Sequence, residues 1–132
     1  LYINSTGAIY LTAWTSWTPT VVGFSGTPTV LLGKYKRIGK LVYVMFFVEG
    51  TSDAETLYVT NMPVAPYATG DYHQALAVGF CQDNSANTGL GTANILTGNG
   101  YCYCRKGGAY DGWTASGTKN IMVSGVYEAN AI

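Results

Sequence analysis

Charge is what this chain has least of. Of its 132 residues, 7 are Lys or Arg and 7 are Asp or Glu, so the net charge is zero and only 11% of residues are charged. An ordinary soluble domain carries roughly 25%. So few cations suit neither nucleic acid, whose affinity rests on Lys and Arg against phosphate, nor a polybasic membrane contact; no nucleic-acid partner is expected. No apolar run reaches the ~20 residues of a spanning helix, so no membrane insertion is expected either. Residues 1–11 lack a basic start and contain Asn4, Ser5, Thr6 and Gly7, which does not make a secretory signal. The absent initiator Met points to a piece of a longer or processed chain. Cysteine is sparse and odd in number: Cys81, Cys102 and Cys104 cannot all pair internally, which suits reduced, structural thiols made in a reducing cytoplasm. Histidine occurs once, at His73, and no cofactor is expected.

What the chain does have is strand signal. Aromatics are 14% of residues and apolar residues 48%, with 17 glycines as punctuation. Helical periodicity is almost absent. The clearest pattern runs from Val30 to Glu49, alternating through Lys34, Tyr35, Lys36 and Arg37, turning near Ile38-Gly39, and returning as Leu41 to Val48. The returning arm is apolar on both faces and so needs cover on both, one cover being a candidate for another subunit. Shorter strands are expected at 55–59, 75–81 with Gly79 as a bulge, 93–96, 101–105 and 121–128, the last with Ile121, Val123, Gly125 and Tyr127 on one face. About eight short strands at this spacing predict an all-β, antiparallel, jelly-roll-like β-sandwich. Residues 1–13 read as a connector from an upstream region and 14–132 as the domain.

Catalytic signals are thin. His73 stands in Gly70-Asp71-Tyr72-His73 without a nucleophile elbow, and the seven carboxylates include no pair marked out for glycosidase work, although Asp71, Asp83 and Asp111 lie in loops. Asp83-Asn84-Ser85-Ala86-Asn87 is oxygen-rich but lacks a calcium loop's spacing, and no metal site is expected. The group Lys34, Lys36, Arg37 and Lys40 either touches an anionic glycan or phosphate, or keeps an exposed hairpin from pairing edge to edge; the second is preferred. The informative residues are loop aromatics. Tyr72 with His73, and Tyr110, Asp111 and Trp113 in the run Gly107 to Trp113, place rings beside small polar groups. Sugars offer C–H faces to such rings and hydroxyls to such polar groups. Asp83 and Arg105 extend the polar part, giving Trp113, Tyr110, Asp111, Tyr72, His73, Asp83 and Arg105 as the candidate glycan-binding set. Trp113 is equally suited to plugging the end of the core, and Trp14 and Trp17 look structural.

Three stretches carry a resemblance. Trp14-x-x-Trp17-Thr18-Pro19-Thr20, the hairpin Lys34-Tyr35-Lys36-Arg37-Ile38-Gly39-Lys40-Leu41-Val42-Tyr43-Val44, and Glu49-Gly50-Thr51-Ser52 resemble head domains of tailed-phage fibre and baseplate proteins, with Asn61-Met62-Pro63 and Val123-Ser124-Gly125-Val126-Tyr127-Glu128 in keeping. The likeness covers most of residues 14–128. It implies the knob of a homotrimer, joined to an upstream fibre or baseplate region of the virion, that adheres without catalysis to host cell-surface saccharide. The alternatives are a purely structural trimerisation knob and a glycan hydrolase. The family's saccharide contacts lie in variable loops, so no site residue is carried over.

Overall fold

In the computed structural model, residues 2–3, 5–7, 9–10, 13–70, 73–88, 91–107 and 112–131 are described. All regular structure among them is antiparallel β: β1 Tyr2–Ile3, β2 Ile9–Tyr10, β3 Thr15–Ser16, β4 Val21–Val22, β5 Thr29–Ile38, β6 Leu41–Thr51, β7 Leu57–Val59, β8 Gln74–Asp83, β9 Ala86–Asn87, β10 Gly91–Ile95, β11 Cys102–Arg105 and β12 Thr118–Glu128. The expected all-β, antiparallel class is what the structure has. β1 and β2 pair only with each other, while the other ten strands form one sheet in the order β3-β5-β6-β12-β8-β10-β11-β7-β4, with β9 beside β8. The sheet curls into a half-barrel.

The central hairpin follows from its residues. β5 and β6 pair from Thr29↔Glu49 to Ile38↔Leu41, leaving a two-residue turn at Gly39 and Lys40. Gly39 takes φ +56°, which fits a turn that wants glycine first. Alternation then sorts β6 onto two faces. Val42, Val44, Phe46 and Val48 are buried, while Tyr43, Met45 and Phe47 are only half-buried on the other face. β12 lies alongside with Ile121, Val123 and Tyr127 inward. Gly125 is inward too, where a side chain would meet Leu76. Gly79 is the extra residue of a bulge: Met122 faces Phe80 but Val123 already faces Val78. All three cysteines are buried; Cys102 and Cys104 share the inward face of β11.

A curled sheet has two edges, and one segment serves both. β3 pairs with β5 at Thr15↔Tyr35 and Ser16↔Lys34, and β4 pairs with β7 at Val21↔Val59 and Val22↔Tyr58. Between them residues 17–20 cross the mouth. The Trp17 amide donates to the Gly33 carbonyl at 2.9 Å, and its indole N–H donates to the Asn61 carbonyl at 2.8 Å. The Asn61 side chain accepts from the Thr20 amide at 2.6 Å and donates to the Thr18 carbonyl at 2.9 Å. The strap continues to an isolated bridge, Phe24↔Ser52. The Trp17 ring meets Phe46 edge-on, with centroids 5.7 Å apart, and so covers the core.

The close approach of strap to sheet favours glycine at position 33: a Cβ there would lie 1.9 Å from the Trp17 carbonyl oxygen, so the backbone must shift to admit one. The Gly33→Ala chain is expected to lose about 1–3 kcal/mol by overpacking. Chemical denaturation should show this, with the change confined to a wild-type-like fold by circular dichroism.

Candidate functional site

At the far end of the inward stripe on β12, past Ile121, alternation places a lysine inside the barrel. Lys119 is fully buried and stands opposite Asp83 in the β12–β8 register. Its ammonium lies 2.8 Å from Asp83 Oδ1 and donates to the carbonyls of Ser116 at 2.7 Å and Gly117 at 3.2 Å. Asp83 Oδ2 accepts from Lys106 at 2.6 Å and from the Thr114 amide and hydroxyl at 3.1 and 2.9 Å. Oδ1 makes no directed hydrogen bond and is compensated by the Lys119 charge beside it. Burial alone would raise the carboxyl's pKa, but the Lys106, Lys119 and Thr114 contacts outweigh it and hold it well below the usual carboxylate range. Asp83 is therefore a fixed anion.

That anion anchors the 106–117 loop. Thr114 is tied to Asp83 as above, and its carbonyl accepts from the Ser52 hydroxyl at 3.0 Å. Trp113 is 2% exposed, donates its indole N–H to the Cys104 carbonyl at 2.8 Å, and has its amide on the Glu55 carbonyl at 2.9 Å. Its ring fills the core beneath the loop. Tyr110 and Asp111 lie outside the described residues, as does Tyr72. His73 is exposed, and its Nδ1 accepts from the Thr97 amide at 3.4 Å. It precedes β8, whereas Asp83 ends that ten-residue strand; at ~3.3 Å per residue the two stand about 30 Å apart. The structure thus brings Asp83 and Trp113 together at one end, beside the strand that ends on Arg105, and leaves His73 at the other.

Arg105 leads to a surface that the loop aromatics alone do not reveal. β11 alternates Cys102 and Cys104 inward with Tyr103 and Arg105 outward. Tyr103 stands opposite Tyr58 of β7, and their rings stack at 4.8 Å and 18°. Tyr101 stacks on the same Tyr58 at 5.6 Å and 17°. The Arg105 guanidinium lies 5.8 Å from the Tyr103 centroid, within cation–π range. Asn94 and Thr92 of β10 stand opposite Tyr103 and Arg105. All three tyrosines and Arg105 are half-buried, the Arg105 Nε being enclosed, so a stacked row of rings ending on an arginine lies on the outward side of the sheet. The signal was present in the sequence: if Cys102 and Cys104 share one face, Tyr101, Tyr103 and Arg105 share the other.

One further feature belongs to the surface. A cleft of about 380 Å³ lies between the strap and residues 26–28, lined by Pro19, Val21, Pro28 and Val30 and by threonine hydroxyls, without a charged group. Among the described residues no group of three His, Cys, Asp or Glu is placed to hold a metal ion. No protein-family model matches the chain, and neither a curated protein nor a solved structure matches it.

Removing Asp83 leaves Lys119 buried and unpaired, so Asp83→Ala is expected to cost about 3–5 kcal/mol in denaturant unfolding. The pH dependence has a definite sign. With its folded pKa depressed, Asp83 stabilises fully above the ordinary carboxyl value of about 3.9 and progressively less as pH falls below it. The stability gap between wild type and Asp83→Asn should therefore narrow on acidification below about pH 4. A gap that stays constant would contradict the ion pair.

Proposed function

We propose that this chain is a non-catalytic, receptor-binding head domain of a phage tail fibre or baseplate, adhering to host cell-surface saccharide through several shallow sites. The observation that carries the proposal is the outward row Tyr101, Tyr58, Tyr103 and Arg105. Preordered tyrosines give contact area and hydroxyls at little entropic cost, and small polar neighbours such as Asn94 adapt to a ligand. The likeness of the hairpin at residues 34–44 to tailed-phage fibre heads supports the setting. Asp83, clamped between two ammoniums, is unsuited to donate the proton that glycoside cleavage requires.

The finer parts of the proposal are a jelly-roll-like packing of the curled sheet and a homotrimer. The outer face supports the second. Phe47 of β6, Met122 of β12 and Phe80 of β8 follow one another across three strands, with Phe47 and Phe80 edge to face at 6.1 Å. Leu41, Phe80 and Val126 are 47%, 38% and 40% exposed. Apolar surface of this kind, on a chain with so little charge, is suited to an obligate interface. Three copies also multiply weak sugar contacts, since avidity exceeds single-site affinity by ~10²–10⁴ when geometry permits. The same outer face favours the second reading, a structural trimerisation knob that registers a fibre while another region binds the host.

A bacterial surface-glycan array separates the two. The receptor-binding reading expects captured glycan, and a signal at least about tenfold lower for Tyr58→Ser/Tyr103→Ser, corresponding to the loss of roughly 1.4 kcal/mol. No captured glycan would leave the knob. Light scattering should return the mass of three chains for either reading; a monomer at micromolar concentration would overturn the trimer.

A further inference from the structure

The sheet carries a second cluster, on its other edge. Trp14 precedes β3 and so stands across from Lys36 in the β3–β5 register. Trp14 is 37% exposed. The Lys36 ammonium lies 4.8 Å from the ring centroid and the Lys34 ammonium 4.9 Å. Both lysines therefore fold onto one ring. Opposite them on the same outward face stand Met45, paired with Lys34, and Tyr43, paired with Lys36, both half-buried.

The charges are unbalanced locally. The ion pairs among the described residues use Lys40 with Glu128, and Lys106 and Lys119 with Asp83. Arg37 donates to the carbonyls of Gly39 and Ala131. Lys34 and Lys36 have no carboxylate within ion-pair distance among the described residues. The electron-rich ring attracts both ammoniums, and neither charge is neutralised there, so an anion at this spot is favoured. In a chain of zero net charge, this spot carries a local excess of positive charge.

We infer that Trp14, Lys34 and Lys36 form a subsite for an acidic saccharide, in which a carboxylate or phosphate group lies against the two ammoniums and a C–H face of the sugar lies on the indole. Tyr43 borders the subsite and offers its hydroxyl to the next unit. The inference rests on the saccharide-binding proposal above and adds the charge class of the ligand and a second place where it is held. Electrostatic contact of this kind is salt-sensitive, since exposed charges are screened within ~8 Å at physiological ionic strength.

The test uses the full 132-residue chain and titration calorimetry. The probes are an oligogalacturonate, a glycerol-phosphate oligomer and a neutral oligogalactoside, each at low and at physiological salt. At least one acidic probe is expected to bind about tenfold more tightly than the neutral one, with the advantage shrinking as salt rises. Which acidic probe wins tells carboxylate from phosphate recognition. Lys34→Gln/Lys36→Gln should abolish the advantage and leave neutral binding as it was, with an unchanged near-ultraviolet spectrum showing an intact fold. Equal affinity for all three probes, or an acidic preference that survives the double substitution, overturns the subsite. If neutral glycan still binds in a manner sensitive to Tyr58→Ser/Tyr103→Ser, the adhesion proposal stands without it. If no probe binds and the array captures nothing, both fall.

Discussion

A sheet that curls without closing leaves two rows of unpaired backbone groups, and every other feature of this domain depends on how they are met. Such edges invite pairing with other chains, and an apolar interior between them would fill with water. The strap from Thr15 to Phe24 answers both demands. It pairs with β5 at its start and with β7 at its end, and the Asn61 side chain acts as backbone for it in the middle, accepting from Thr20 and donating to Thr18. Trp17 is then placed against Phe46 as the lid of the core. Because the strap crosses so close to β5, glycine is favoured beneath it, at Gly33. The lid, the paired edges and the dry interior are one arrangement.

The other end of the interior is stopped by charge. Lys119 continues the inward stripe Tyr127, Gly125, Val123 and Ile121, so its ammonium is carried into the protein by strand geometry and must find an anion there. Compared with apolar side chains of the same shape, charges at such depth add little net stability, because their desolvation consumes much of the attraction. What the pair does is fix position. Asp83 turns one buried requirement into several contacts, reaching Lys106 and Thr114 as well as Lys119, and so ties both ends of the 106–117 loop to the end of β8. With Trp113 in the core beneath it, the loop is held at its base.

Much of this was legible in the residues, and the parts that were not share a cause. The β5–β6 hairpin, its turn at Gly39, the bulge at Gly79 and the inward stripe of β12 all follow from period-two alternation, which is a local property. The strap was not visible, because β3 and β4 are two residues each and draw their pairing from strands far along the chain. The burial of Asp83 was hidden for the same reason: in the sequence it opens a polar turn, and only the β8–β12 register sets it opposite Lys119. Trp113 was open between sugar contact and core plug, and its ring sits in the core. The loop aromatics drew attention because rings among glycines stand out. The tyrosine row did not stand out, since Tyr58, Tyr101 and Tyr103 sit in ordinary strand patterns and meet only across β7 and β11.

Inside and outside therefore follow different rules. Inward positions are chosen for volume, and a single misfit, such as a side chain at Gly125, would press on Leu76. Outward positions on the same strands carry Tyr103, Arg105, Lys34, Lys36, Met45 and Phe47, which the core does not require. The fold thus leaves its outer face free to be spent on contact. One region of that face is apolar, around Phe47, Met122 and Phe80, and two are aromatic with cations, around Tyr103 with Arg105 and around Trp14 with Lys34 and Lys36. Under the proposed function the two kinds of region act together: burying the apolar region between copies would set the spacing at which the aromatic–cation regions repeat, and repetition lets contacts of modest affinity hold a surface.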